Sequence, residues 1–524
     1  MGKLTQALRS GEGVRKAIRK TVRLARRILP AGGLALLAGG LVLPGGGTGL
    51  PAAAGNALSS ETESIAEAEQ GLTTATAAAV PGNGFSARGG TGVFAMDYDC
   101  LPIADSSMPS RYSLAEEGRK PTVRSQGDLG TCWALSAVSA LESELLPQHS
   151  MVFSADHLSL QNGFQITQQE GGDYNMIMSY LSDWKGPVLE SEDPYGDGVS
   201  PDGLKARVHV QEMRLLRGMQ TAQIKQMILK YGAAQSSLCM DRTRTDTDEY
   251  HYYNSENCAY YDPFAEELNH DILILGWDDS FSRDNFRIKP RKDGAWICLN
   301  TWGEDFGEDG LFYVSYEDAN LFRKGGIMYT SIESAENYDH VYENDSLGWQ
   351  ARQGFGAEDC YFAGVYTAQA SEEIRAVGFY ATGPYTAYNV YVIPEYEDAS
   401  QLGQIGKLFE TGGQTGSDTE NENTSVRGVS YGWVPNPGFY TARLTQTVSL
   451  KKNQRYAVVV WIDTQNAVKP VAVEMAKDRY TQGVTTEGRE TYLSADALSW
   501  ENTQSVYGTN VCLKVYTEET GKGR

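Results

Sequence analysis

One cysteine in this chain sits where a nucleophilic thiolate could form. The string Gln126-Gly127-Asp128-Leu129-Gly130-Thr131-Cys132-Trp133-Ala134 places Cys132 behind a loop punctuated by glycines that let it turn tightly. Apolar Ala134, Val138, Leu141 and Leu145 then recur at helical spacing, which puts Cys132 in the first turn of a helix. An ordinary thiol has a pKa of about 8.5, and a helix N-terminus favours an anion by roughly 0.3–1 kcal/mol, less than one pKa unit. An imidazolium about 4 Å away at an effective dielectric of about 20 contributes roughly 4 kcal/mol, or about three units. The chemistry therefore demands a histidine brought in from elsewhere in the chain.

Two later segments answer that demand. Asn269-His270-Asp271-Ile272-Leu273-Ile274-Leu275-Gly276-Trp277 sets His270 at the head of an apolar run that reads as a buried strand. Ala295-Trp296-Ile297-Cys298-Leu299-Asn300-Thr301-Trp302-Gly303 reads as a second strand ending in an amide, and Phe306 to Val314 as a turn and a third. On one antiparallel sheet facing the cysteine helix, His270 and Asn300 could complete a site around Cys132.

These residues carry a resemblance. With Gln126, Gly130-x-Cys132-Trp133-Ala134, Asn269-His270, Asn300-Thr301-Trp302-Gly303, and Gly307 and Gly310 behind them, the chain resembles the papain family of cysteine peptidases over roughly residues 98–333. The separation of 138 residues between Cys132 and His270 suits that family. Phe153 to Leu158, Gly171-Gly172 and Glu192-Asp193-Pro194-Tyr195 resemble the helix after the nucleophile and the segments framing the cleft. The resemblance implies a two-lobed fold, one lobe helical and the other like a β-barrel. It implies Cys132 as nucleophile, His270 as its acid and base, and Asn300 as the group that orients the imidazole. Gln126 and the Cys132 backbone N–H would hold the oxyanion, and Trp302 would shield the His270–Asn300 bond. Trp133 supports the nucleophile. The tyrosine-rich stretch from Cys239 to Tyr261 departs from the family pattern and reads as an insertion that could reshape the primed side of the cleft.

Other reactive residue types have plainer readings. His149, His157, His209, His251 and His340 lack a strand-head setting with an amide partner and read as surface or structural. Cys298 lies between Ile297 and Leu299 as inert packing, and Asp278-Asp279 reads as a polar turn. No metal spacing and no cofactor motif is present. Cysteines 100, 239, 258, 298, 360 and 512 permit disulfides with no fixed connectivity; Cys239–Cys258 and Cys360–Cys512 are two of the pairings.

The ends of the chain bear on where such a site would work. Residues 1–54 hold nine basic and one acidic side chain, with an apolar run from Ile28 to Leu43 interrupted by Pro30 and glycines. This reads as a secretory signal or signal anchor, the cleaved signal being favoured because a span needs roughly 20 apolar residues. Removing that net +8 turns the chain's −22 into −30, a balance that disfavours nucleic acid and anionic lipid. Residues 55–95, rich in Ala, Gly, Ser and Thr, read as a disordered linker.

Residues 96–336 form the expected catalytic domain, and a second domain follows at 337–520. There, short alternating runs at Gly364–Thr367, Ile374–Ala381, Asn389–Ile393, Tyr440–Val448, Tyr456–Ile462, Val471–Met475 and Asn510–Tyr516 argue an all-β sandwich, with a low-complexity loop at 411–428. Ala376-Val377-Gly378-Phe379-Tyr380, Pro437-Gly438-Phe439-Tyr440-Thr441 and Asn510-Val511-Cys512-Leu513-Lys514 make this half resemble the lectin-like domain that follows papain-like domains in secreted or surface peptidases of bacteria and some archaea. Trp433, Trp500 and Tyr385 read as sandwich packing before they read as sugar platforms.

The fold class expected is α+β, papain-like and two-lobed, followed by an all-β sandwich. The expected activity is that of an exported cysteine endopeptidase, extracellular or on the cell surface, acting on protein or peptide. A cell-surface or glycan contact would run through the C-terminal domain and a membrane contact only through an uncleaved N-terminal segment. Two rivals are a cell-wall peptide amidase or transpeptidase, which needs the same nucleophile, and a surface adhesin without catalysis.

Overall fold

The computed structural model describes residues 108–241, 250–323, 325–410 and 426–522. The expected signal at 1–54, the linker at 55–95, the start of the catalytic domain and most of the 411–428 loop lie outside them.

The first half interleaves helices and strands. Strand β1 (Arg111–Ser113) precedes α1 (Cys132–Leu145), α2 (Ala155–Leu160) and α3 (Tyr174–Ser182). Then come β2 (Val208–Leu215), α4 (Thr221–Tyr231), β3 (Ala234–Leu238), the short β4 (Tyr253–Asn254) and β5 (Ala259–Tyr260), β6 (His270–Asp278), β7 (Ala295–Leu299), β8 (Leu311–Ser315) and β9 (Gly326–Ser334). Helix α1 is rich in Ala and Ser, and its residues Trp133 through Ser143 are all buried. Small side chains all round let it run through the core with β6 on one side and α2 and α3 on the other. Strand β6 is buried from His270 to Trp277, which explains its unbroken apolar run.

The second half is built on β10 (His340–Glu343), β11 (Ala351–Gln353), β12 (Asp359–Thr367), β13 (Glu372–Ala381), β14 (Thr386–Ile393), β15 (Arg427–Val434), β16 (Gly438–Leu450), β17 (Arg455–Asp463), β18 (Val471–Glu474), β19 (Thr491–Ser494), β20 (Glu501–Asn502), β21 (Asn510–Val511) and β22 (Leu513–Glu519). Two short helices, α5 (Gln404–Glu410) and α6 (Thr503–Tyr507), interrupt the strands of what the sequence reads as an all-β half. A six-stranded sheet, β15-β14-β17-β12-β19-β20, packs on β13, β16 and β22 through Phe362, Val392, Val458, Val460, Phe379 and Val515. The sandwich expected from alternating strands is thus present.

Its inner sheet, however, is not its own. Strands β10-β22-β13-β16 continue through β2 into β9-β3-β6-β7-β8-β5-β4, and β1 adds to β6, giving thirteen strands in one sheet. The junction aligns Gly438, Phe439 and Tyr440 with Arg214, Met213 and Glu212. The hydrophobic core around α1 accordingly runs on to Tyr380, Phe439 and Tyr516. No helix among the described residues is long and apolar enough to cross a membrane.

Candidate active site

Cys132 is the first residue of α1. The hydroxyl of Thr131, the residue preceding the helix, is taken by the Tyr195 hydroxyl, and no side chain caps the first turn. The Ala134 and Leu135 amides bond the Thr131 carbonyl, which leaves the Cys132 and Trp133 amides directed at the Cys132 thiol. Trp133 is held flat under Gly172, where an added Cβ would fall 2.2 Å from its ring.

The loop before the helix is fastened to the strand that carries the amide. Gln126 N–H donates to the Thr301 carbonyl at 2.7 Å, and Ser125 pairs with Trp302. Thr301 Oγ1 donates to Gln126 Oε1 at 2.7 Å, while Gln126 Nε2 donates to the Leu129 carbonyl at 2.7 Å. That leaves the second hydrogen of the Gln126 amide for another acceptor. Gly127 turns the loop at a φ of +58°, and Gly130 N–H reaches the Gln168 carbonyl.

His270 opens β6 and Asn300 follows β7. The two strands are antiparallel neighbours with Leu273 opposite Leu299, so both residues emerge at one edge of the sheet. Imidazole Nε2 and Asn300 Oδ1 lie 2.7 Å apart, and Oδ1 also accepts from Thr301 N–H at 2.8 Å. With Nε2 committed to Asn300, proton exchange with a thiol falls to Nδ1. Trp302 lies 4.9 Å from the imidazole, centroid to centroid, and both His270 and Asn300 are buried. The aromatic row continues through Phe306, edge-on to Trp302 at 5.1 Å, to Tyr253 of the inserted stretch, stacked on Phe306 at 4.9 Å.

Electrostatics work against the thiolate more than the sequence implied. Burial, then the Asp271 carboxylate, push the Cys132 thiol up to about 12, while the backbone amides of Asp271, Trp133 and Cys132 pull it down. Asp271 is itself buried. Its carboxylate accepts from Gln235 Nε2 at 2.7 Å and from the Ser237 hydroxyl, which meets Tyr174 Oη at 2.9 Å. Sequence reasoning passed over Asp271 as one more strand residue; a carboxylate directly after the histidine of a buried run was the available signal.

The remaining expectations divide simply. His157 bonds Tyr180 at 2.7 Å, and His209 bonds Asn337 and stacks on Trp184 at 3.8 Å. Cys298 is fully buried and its thiol is raised well above its ordinary range. Asp279 pairs with Lys225 at 2.6 Å. Cys239, Cys258, Cys360 and Cys512 are all free thiols, so neither suggested disulfide is formed. Trp500 donates to the Ala497 carbonyl and packs edge-on to Tyr361. Trp433 lies half-buried against Tyr385.

A thiol that begins a helix packed on the strand opened by an imidazole, with the amide partner of that imidazole after the next strand, is the plan of a cysteine protease domain. Residues 108–335 match the Papain family cysteine protease family and residues 341–517 the Lectin like domain, so a papain family domain is followed here by a lectin-like one. Procathepsin L of Felis catus is 26% identical over 220 residues, and Cysteine proteinase 1 of Zea mays 27% over 240. The matches take in 41% and 43% of this chain, but only 62% and 61% of those relatives' lengths. Among solved structures, the Clostridial cysteine protease Cwp84 superposes with a TM-score of 0.65 at 24% identity, covering 79% of this chain and 100% of that one. The protease and lectin-like domains of Cwp84, described as a surface layer associated protein of Clostridium difficile, give 0.63 at 24% identity, over 79% and 89%. Both likenesses are of fold.

Proposed function

We propose that this chain is an exported cysteine endopeptidase in which Cys132, His270, Asn300 and Gln126 form the working site. The observation that carries the reading is the 2.7 Å bond between His270 and Asn300 beneath Trp302, tied through Thr301 to Gln126.

The Cys132 thiol gives its proton to His270 Nδ1, and the thiolate adds to the scissile carbonyl carbon. Gln126 Nε2–H and the Cys132 backbone N–H receive the oxyanion; losing one such donor typically costs about 10²–10³ in turnover. The imidazolium then protonates the leaving amine as the C–N bond breaks, leaving a thioester. Water, deprotonated by His270, attacks that thioester and releases the acid with the thiol restored. Burial and the Asp271 carboxylate oppose the thiolate, so its stabilisation falls to the His270 imidazolium with which it forms an ion pair.

Export rests on the basic leader, the Ile28–Leu43 run and the acidity of the remainder. A surface location agrees with what is said of Cwp84. Tyr253, stacked on Phe306, which meets Trp302 edge-on, would shape the primed side. The test is labelling of Cys132 in the full chain by an epoxide inhibitor, together with digestion of casein and of purified peptidoglycan, with Cys132→Ala as control. Stoichiometric label with casein cleavage is expected; peptidoglycan cleavage alone would turn the assignment to a cell-wall amidase, and neither label nor cleavage would end the enzyme reading.

A further inference from the structure

Behind Asn300, between α1 and the sheet, lies a small cavity of about 10 Å³. Arg124, Ser136, Ser139, Leu273, Asn300 and Thr301 are among the residues lining it. Three buried polar atoms of this lining have no hydrogen-bond partner among the described residues: Asn300 Nδ2, Ser136 Oγ and Arg124 Nε. Asn300 and Ser136 are 2% and 1% exposed, so bulk water does not satisfy them. A buried polar atom left unpaired is costly, and three around one void ask for a common partner.

The chemistry of the three selects that partner. Asn300 Nδ2 and Arg124 Nε can only donate, whereas the Ser136 hydroxyl can also accept. Arg124 cannot turn away, because its terminal nitrogens are held by Glu142 at 2.6 Å, Glu190 at 2.8 Å, the Phe153 carbonyl at 2.8 Å and Ser139 Oγ at 3.1 Å. Asn300 is equally fixed, since Oδ1 receives two hydrogen bonds on the His270 side. A group that accepts two bonds and donates in return, within a void one probe sphere in size, is a water molecule.

We propose that this cavity binds one ordered water that joins Asn300 Nδ2 to Ser136 and to the Arg124 guanidinium, and that Ser136 is thereby a positioning residue for the imidazole. An amide flip would put the Asn300 NH₂ against the imidazole N–H. The water opposes that flip by giving Nδ2 an acceptor where the described residues offer none. The binding site stands by itself; its effect on turnover rests on the peptidase reading above.

Two measurements separate these layers. A high-resolution crystal structure of the full chain should show one well-ordered water within hydrogen-bond distance of Asn300 Nδ2, Ser136 Oγ and Arg124 Nε. A dry cavity, or a water bonded to fewer than two of them, overturns the proposal whatever the activity. Ser136→Thr keeps the hydroxyl but puts a methyl into the space, whereas Ser136→Ala removes the hydroxyl and leaves room for water. Ser136→Thr is expected to lower kcat about ten-fold with KM within two-fold, and to shift the pH profile of Cys132 alkylation; Ser136→Ala, which leaves room for the water but removes one of its three partners, should lower kcat by a smaller factor, again with KM within two-fold. Unchanged kcat and alkylation profile in Ser136→Thr, with the water displaced in its structure, would overturn the positioning role. A wild-type chain that binds the water and alkylates but cleaves no peptide would instead overturn the peptidase reading alone.

Discussion

The Lys514 ammonium lies 2.5 Å from Asp183 Oδ1, fully enclosed, and so ties β22 of the sandwich to the residue that ends α3 in the protease half. Glu343 and Asp345 approach the same ammonium at 2.7 and 3.1 Å, and Lys185 holds the other Asp183 oxygen at 2.9 Å. Five charged groups from both halves thus share one cluster.

Removing its central cation strands the carboxylates. Breaking a buried ion pair from one side costs about 3–5 kcal/mol, because the partner charge stays behind. Lys514→Met is therefore expected to lower the melting temperature by many degrees, and Lys514→Met with Asp183→Asn to recover part of that loss. Scanning calorimetry decides it, and a single variant as stable as the parent would contradict the burial of the cluster.

The same cluster sets a pH dependence. Burial, the largest cause, pushes Asp345 up to about 7 and Glu343 further, against the pull of Lys514. In the protease half, burial likewise raises Glu142 and Glu144 to about 7 despite Arg124 and Arg119. A carboxyl whose folded pKa lies above its unfolded value stabilises fully below the unfolded value, and that contribution is lost as pH rises through the folded one. Asp183, shifted down, acts only at lower pH. These carboxyls pull the melting temperature down between pH 5 and pH 8, against the upward pull of His157 and His209, whose pKa burial lowers; Glu142→Gln should make the change over that interval more positive, and an unchanged slope contradicts the burial assigned to Glu142.

Asp271 offers a test of the thiol itself. Its carboxylate opposes ionisation of Cys132 while its backbone amide favours it. Asp271→Asn removes the charge and keeps the amide, so iodoacetamide should modify Cys132 several-fold faster at pH 7, with the midpoint of the rate profile moved to lower pH. Slower alkylation with an unchanged midpoint would mean that the carboxylate does not reach the thiol.

Much of the candidate site was legible in the sequence because each residue marks the end of its own element: Cys132 begins a helix, His270 opens one strand and Asn300 follows another. The Gln126–Thr301 tie and the aromatic row to Tyr253 needed the fold, since they join segments 175 and 53 residues apart. Asp271 escaped notice because a lone acid in a strand gives no pattern, and its partners Gln235 and Ser237 lie on β3. The sandwich strands were readable from alternation, whereas β10, β11, β15, β19 and β20 were too short or too polar to stand out. Nothing in the sequence marked β2 and β16 as neighbours, because strand pairing is set by tertiary packing.

That pairing gives the last prediction. Gly438 begins β16 at a φ of +145°, and a Cβ there would fall 2.0 Å from the Met213 carbonyl oxygen on β2. The close approach lets Leu215 N–H bond the Pro437 carbonyl at 2.8 Å and sets Phe439 opposite Met213. An L side chain meets both a backbone clash and a strained φ, so Gly438→Ala must push the two strands apart at the one place where the halves share hydrogen bonds of a common sheet. The shared core at Tyr380, Phe439 and Tyr516 loosens with the junction, whereas the residues around β6 and those between the two sandwich sheets keep their own packing, so the variant should lose coupling before it loses either fold. Calorimetry is expected to resolve one parental transition into two, and hydrogen exchange to quicken at the Leu215 amide while the amides of β6 and β17 stay protected. A single transition at the parental temperature, with the Leu215 amide still protected, would mean that the halves are held by Lys514 and Asp183 rather than by the sheet.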